Sequence, residues 1–134
     1  MNALEEGTEL SLDFTKLGAA AAKVPGILPA VVQEKSTGEV LVLGYVNQES
    51  LQATFQSGYV TFWSTSRNEL WVKGDTSGNR LRLIEARVNC EQNSILLLVN
   101  LEGQGACHTK QDGAYRKSCY YRKITDGRLT RISE

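Results

Sequence analysis

No C-x-x-C pair occurs among the 3 cysteines of this sequence, which excludes the compact ligand spacing of a zinc finger. Charge of either sign is not in excess. The 15 basic residues match 15 acidic ones, so nothing global recommends a nucleic acid or a membrane surface as partner. No apolar run approaches the roughly 20 residues that a membrane span requires. The N-terminus is acidic and lacks a long apolar block, so it does not read as a secretory signal, and the expected location is cytoplasmic. Thiols in that setting are expected to stay reduced, available to a metal or to catalysis. Repeats, linkers and the glycine patterns of Walker or dinucleotide loops are missing too. What is present, 134 residues with 41% apolar and 22% charged, suits a single domain over 1–134 that buries its core unaided. A small phosphorylated ligand needs only a local basic cluster and stays open.

Residues 1–8 are polar and expected to fray, with the first 10 flexible. Ser11-Leu12-Asp13-Phe14 reads as the cap of a short helix that reaches Lys23 through four alanines, stopped by Pro25-Gly26. Ile27 to Gln33 and Val40 to Val46 are apolar and β-branched, and Lys35 to Glu39 is turn chemistry, which predicts a hairpin. Asn47 caps a second helix, with Leu51, Thr54 and Phe55 on one face and Gly58 closing it. Strands are expected at 59–64, 70–73, 81–88 and 95–101, with 74–79 a glycine-bounded loop. From Gly103 the tail reads mostly as loop, with a short final segment. The class is α+β: one compact domain, mainly antiparallel β, with one or two helices.

The densest chemistry begins at Arg87-Val88-Asn89-Cys90-Glu91-Gln92-Asn93. At the start of a strand, Cys90 faces one side and the oxygens of Asn89, Glu91 and Asn93 the other. That sorts a soft ligand for zinc from hard ligands for magnesium. The plainer reading is a polar turn leading to a strand, with one buried cysteine. Cys90, Cys107 and Cys119, with the sole imidazole His108 beside Cys107, make a zinc inventory. His108 is awkward as a ligand next to a bound Cys107, and proton transfer beside an open metal position suits it better. A surface histidine is its plainer reading. Trp63, Ser64, Ser66 and Arg67, followed by Trp71, Lys73, Asp75, Thr76 and Ser77, gather hydroxyls and two cations of the kind a nucleotide phosphate needs. Either tryptophan can stack on a base, though core packing is the commoner use.

The runs Leu28-Pro29-Ala30-Val31-Val32-Gln33, Thr37 to Leu41, Tyr45-Val46-Asn47, Phe62 to Asn79, Cys107-His108-Thr109 and Cys119-Tyr120-Tyr121-Arg122 together resemble the phosphoribosyl-AMP cyclohydrolase family. The similarity covers about residues 27–123, and the tryptophan-to-glycine stretch is its most specific part. The resemblance implies a zinc- and magnesium-dependent hydrolase of histidine biosynthesis that opens the adenine ring of phosphoribosyl-AMP at N1–C6. It implies an intertwined homodimer in which Cys90 of one chain joins Cys107 and Cys119 of the other at zinc. Where the family shows Asp-Cys-Asp-x-Asp, this chain has Asn89-Cys90-Glu91-Gln92-Asn93, and losing two carboxylates weakens the magnesium site. Thr65 stands where Arg is usual, Asp75 where Glu is usual, and the segment from Cys107 to Cys119 is longer. Two further readings follow from those departures. One is a divergent paralogue acting on another purine nucleotide with zinc alone; the other is a zinc-stabilised nucleotide-binding dimer without turnover.

Overall fold

The computed structural model describes residues 2–132. Strands β1 (Leu28–Glu34) and β2 (Val40–Val46) form the expected antiparallel hairpin. Helix α3 (Gln48–Ser57) starts as read: the Asn47 side chain accepts from the Ser50 N–H at 2.8 Å, and Ser50 Oγ accepts from the Asn47 N–H at 2.9 Å. It ends at Gly58 with φ 80°, a left-handed position that costs glycine little. Its buried face is Ser50 and Thr54, whereas Phe55 is exposed. Thr54 Oγ1 bonds both the Ser50 carbonyl and the Thr61 N–H, so the inner face of α3 is stitched to the next strand by hydroxyl chemistry.

Strands β3 (Thr61–Ser64) and β4 (Glu69–Val72) form a short antiparallel ladder. Strands β5 (Leu81–Val88) and β6 (Ile95–Leu101) pair antiparallel, and β6 also runs parallel to β1, giving one sheet in the order β2-β1-β6-β5. One face of that sheet carries Ala30, Val32, Val42, Leu97 and Val99, which pack with Leu41, Val46, Val60, Phe62, Leu81 and Ala106. Gly44 allows this packing, because a Cβ there would lie 2.7 Å from the Phe62 ring. β6 is buried only at Leu97, Leu98 and Val99, not along its whole length as expected.

The α+β class holds, with three helices among the described residues instead of one or two. Helix α2 (Lys16–Lys23) ends where expected but begins later, because Asp13 Oδ1 accepts from Thr15 N and Thr15 Oγ1 and holds the chain in a turn. The tail, read as loop, holds two small hairpins, β7 (Lys110–Gln111) with β8 (Ala114–Tyr115) and β9 (Arg122–Thr125) with β10 (Arg128–Arg131).

The N-terminal stretch also departs from expectation. Met1 lies outside the described residues, but Ala3–Glu6 form α1, one helical turn capped by Asn2. The Glu6 carboxylate receives Arg116 through both terminal nitrogens (2.8 and 2.9 Å) and Arg131 at 2.7 Å. Tyr121 OH donates to the Glu5 carbonyl, and Arg122 donates to the carbonyls of Leu4 and Gly7. A polar segment is thus tied down by cations more than a hundred residues away. The two guanidinium groups hold the Glu6 carboxyl at about 2, below its usual 4.5. A lowered carboxyl contributes stability above the unfolded value and loses it as pH falls through the folded one. Wild type is therefore expected to melt above Glu6→Gln at neutral pH, the gap closing between about pH 4.5 and pH 2. A gap unchanged over that window in paired thermal melts would remove Glu6 as the anchor.

Candidate functional site

The loop after β4 is folded by its glycines. Gly74 sits at φ 81° with its missing Cβ pointing into the Asn79 carbonyl, where an added carbon would come to 2.0 Å, and the Gly78 N–H returns to the Gly74 carbonyl at 2.8 Å. This compact loop meets a second one. Ala106 and Cys107 donate their N–H groups to the carbonyls of Lys117 and Arg116, and Gly105 has no room for a Cβ against the Arg116 carbonyl. Between the loops lies a cavity of about 270 Å³ lined by Trp71, Lys73, Asp75, Thr76, Ser77, Asn79, Cys107 and His108, among others.

The fold thus brings seven of the sequence-derived site residues to one cavity: Trp71, Lys73, Asp75, Thr76, Ser77, Cys107 and His108. Lys73 is only 7% exposed, lies 4.9 Å from the Trp71 ring centroid, and has its ammonium pKa lowered by burial against the opposing pull of the nearby thiols. Trp71 is 38% exposed, so part of its ring faces solvent. His108 Nε2 lies 2.6 Å from Glu5 Oε2, a contact supplied by α1.

Cys119 reaches Cys107 from the tail. The Cys119 N–H donates to the Leu41 carbonyl, and its side chain packs against the core. A hydrogen bond from Cys119, with help from Thr109 and His108, holds the Cys107 thiol down to about 5; the same bond and burial push Cys119 up. The two thiols titrate as a pair whose first proton leaves more readily than that of a lone thiol. A pair of thiols in which one ionises this readily is a soft donor set, and it fits zinc. Among the described residues no three His, Cys, Asp or Glu side chains of a single chain converge, so a zinc held by this pair needs a ligand from elsewhere.

Cys90 stands apart from them. Residues 89–94 form the turn between β5 and β6, not the start of a strand, so the expected sorting of Cys90 from Asn89, Glu91 and Asn93 onto two faces does not occur. The plainer expectation of a buried thiol fails as well, since Cys90 is exposed. Asn89 organises this turn. Its Oδ1 accepts from the N–H groups of Asn93 and Ser94, both at 2.9 Å, and its Nδ2 donates to Asn93 Oδ1 at 2.6 Å. The carboxamide oxygens of both residues are taken up by internal N–H donors, and neither side chain carries a charge. These donors do not fit magnesium, which asks for anionic oxygen in octahedral array.

The remaining candidates serve the β3–β4 turn. Ser64 Oγ bonds the Arg67 N–H, the Arg67 side chain and Ser66 Oγ, while Trp63 Nε1 donates to Asn68. Arg67 also pairs with Glu69 in solvent. None of Trp63, Ser64, Ser66 or Arg67 lines the cavity. Sequence reasoning missed Gly74, Asn79, Gly105, Ala106 and Tyr115 as lining residues. Asn79 lay in plain view at the end of the Gly74–Asn79 loop, but its burial to 6% has no signature in sequence.

Comparison with known proteins places these features in a family. A family model described as phosphoribosyl-AMP cyclohydrolase matches residues 42–121. A protein of that name from Hyphomonas neptunium is 49% identical over 105 residues, covering 78% of this chain and 76% of its own length. One from Desulfatibacillum aliphaticivorans is 42% identical over 93% of this chain and 90% of itself. Another, from Rhodospirillum centenum, is 45% identical over 81% of this chain and 77% of itself. The matched span contains the glycine-folded loop, all three thiols and His108, and with it this chain belongs to the phosphoribosyl-AMP cyclohydrolase family.

Proposed function

We propose that this chain hydrolyses phosphoribosyl-AMP, opening the adenine ring at the N1–C6 bond, with zinc as its metal and without magnesium at the β5–β6 turn. The observation that carries the reading is the cavity joining Cys107 and His108 to the loop of Lys73, Thr76 and Ser77. When bound, zinc would lower the pKa of a water toward about 7 and so supply hydroxide at neutral pH. Cys107 and Cys119 would hold it, with Cys90 of a second copy as third ligand. In the net reaction a water oxygen bonds to C6, the C6–N1 bond breaks, and a proton passes to N1; His108 is the group placed to move it. Lys73, Thr76 and Ser77 offer an ammonium and two hydroxyls to the phosphates, and the half-exposed Trp71 ring offers a face to the base.

A homodimer is part of this proposal. Ile84, at the bulge midway along β5, and Val88, at the end of β5 that leads to Cys90, are 49% and 52% exposed, although Ile95, the cross-strand partner of Val88, packs against the core. An apolar strand end that overhangs its own core suits cover by a second copy. The described residues contain no helix long and apolar enough to cross a membrane, and the proposed partner is a small purine nucleotide.

The test is conversion of phosphoribosyl-AMP, followed by absorbance, with metal analysis on the same sample. Turnover that survives magnesium removal but not zinc removal is expected. Nucleotide binding without an absorbance change would instead leave a zinc-stabilised binding protein, and turnover of a different purine nucleotide alone would mark a paralogue. Zinc-only use also predicts a gain of function. Asn89→Asp with Asn93→Asp replaces an internal hydrogen bond by two carboxylates, and magnesium affinity at the turn is expected to rise roughly tenfold or more. Calorimetric titration showing the same affinity in both proteins would show that the missing carboxylates are not what keeps magnesium from this turn.

A further inference from the structure

Asn79 is 6% exposed, lines the cavity beside Lys73, Thr76, Ser77 and His108, and its Nδ2 has no hydrogen-bond partner among the described residues. Buried side-chain donors are almost always satisfied, and leaving one unpaired costs stability. The other end of the same carboxamide is fixed. Its Oδ1 accepts the Gln104 N–H at 2.9 Å, and a flipped amide would set donor against donor there. Backbone geometry enforces the arrangement from two sides. A Cβ on Gly103, at φ 104°, would come to 2.2 Å from Asn79 Oδ1, and a Cβ on Gly74 would come to 2.0 Å from the Asn79 carbonyl. Gly103 thus closes on the Asn79 side chain and Gly74 on its backbone, fixing a residue of the cavity lining whose buried Nδ2 is left without a partner.

We propose that Asn79 is a nucleotide-binding residue whose Nδ2 donates a hydrogen bond to an acceptor of the bound nucleotide. This rests on the reading of the cavity as a nucleotide site and adds to it a residue outside the cation and hydroxyl set. A neutral, rigidly oriented donor distinguishes an acceptor lone pair from a donor at the same place, so Asn79 sets specificity as well as affinity. Its plain structural role, pinning Gln104, uses only Oδ1. The two roles separate in Asn79→Asp, which keeps an oxygen for the Gln104 N–H and deletes the donor.

The experiment uses the full chain loaded with zinc and AMP as the probe. In wild-type protein the assigned Asn79 side-chain NH2 signals are expected to shift on addition of AMP, as the Nδ2 protons gain an acceptor. Adenosine and ribose 5-phosphate, titrated separately, tell whether that acceptor lies on the base or on the phosphate. In Asn79→Asp the Kd for AMP and the KM for phosphoribosyl-AMP are expected to rise about tenfold or more, with kcat changed little. NH2 signals that do not respond to AMP, an Asp variant that binds AMP within about twofold of wild type, or a wild-type chain that binds no AMP would each overturn the proposal. Because the readout is binding, a chain that binds AMP through Asn79 but leaves phosphoribosyl-AMP intact refutes the hydrolase reading and leaves this one standing.

Discussion

Cys107→Ala is expected to leave the protein without bound zinc and without turnover, the largest loss any single substitution should cause. Cys107 is 4% exposed, with Thr109 Oγ1 at 2.9 Å from its sulfur and the Cys119 thiol near enough to couple to it, so it is a preorganised donor and not a chance surface cysteine. Removing it leaves one sulfur per chain on this side of the site and leaves Cys119 without the neighbouring thiol it is coupled to. Structural zinc bound by thiolates is held by roughly 10–16 kcal/mol at neutral pH, and losing one of the three proposed sulfurs is expected to weaken binding by several orders of magnitude. If zinc also joins two copies, the dimer weakens with it. Metal analysis and light scattering on one preparation check both outcomes. Unchanged zinc stoichiometry in Cys107→Ala would place the metal elsewhere and end the proposed chemistry.

Much of the scaffold around this site was readable in advance, for local reasons. The β1–β2 hairpin, the Asn47 cap, the Gly58 stop and the Gly74–Asn79 loop all follow from interactions within a few residues, where side-chain capping and glycine angles act. The two tail hairpins were equally local and were missed. Asp112-Gly113 and Asp126-Gly127 both sit at positive φ, 53° and 81° in one, 50° and 75° in the other, the pattern of a two-residue turn between short strands. The flanking strands are only two to four residues long, too short to show alternation. Other features were not readable from local pattern. The parallel pairing of β1 with β6 joins segments more than sixty residues apart, and the ties of Glu6 to Arg116 and Arg131 span over a hundred. Alternation misled at Cys90. A polar i, i+2, i+4 pattern is also what an Asn-organised turn shows, and Gln92 at φ 56° breaks any strand there. Position in sequence ranked Arg67 with Lys73, but only the buried one reached the cavity.

His108→Ala is expected to lower kcat by about 10²–10⁴ with a much smaller change in KM, the range a positioned general acid–base group contributes. It is the sole imidazole of the chain, it lines the cavity next to Cys107, and no second histidine can substitute for it. Its side chain is 74% exposed, which by itself describes a surface histidine and gives it little packing energy to lose. A surface role predicts no effect on turnover at all. What argues for a working role is that α1 delivers the Glu5 carboxylate to Nε2 at 2.6 Å, anchored by the Glu6 ties to Arg116 and Arg131. A carboxylate on one ring nitrogen fixes the ring's orientation and leaves the other nitrogen for proton exchange, which a general acid beside a ring nitrogen requires. The effect should be catalytic and not structural, so the thermal midpoint and zinc content of His108→Ala are expected to match wild type. A kcat within threefold of wild type at full zinc occupancy would hand proton transfer to another group, and the exposed Glu5–His108 pair would then be an ordinary surface contact worth roughly 0–1 kcal/mol.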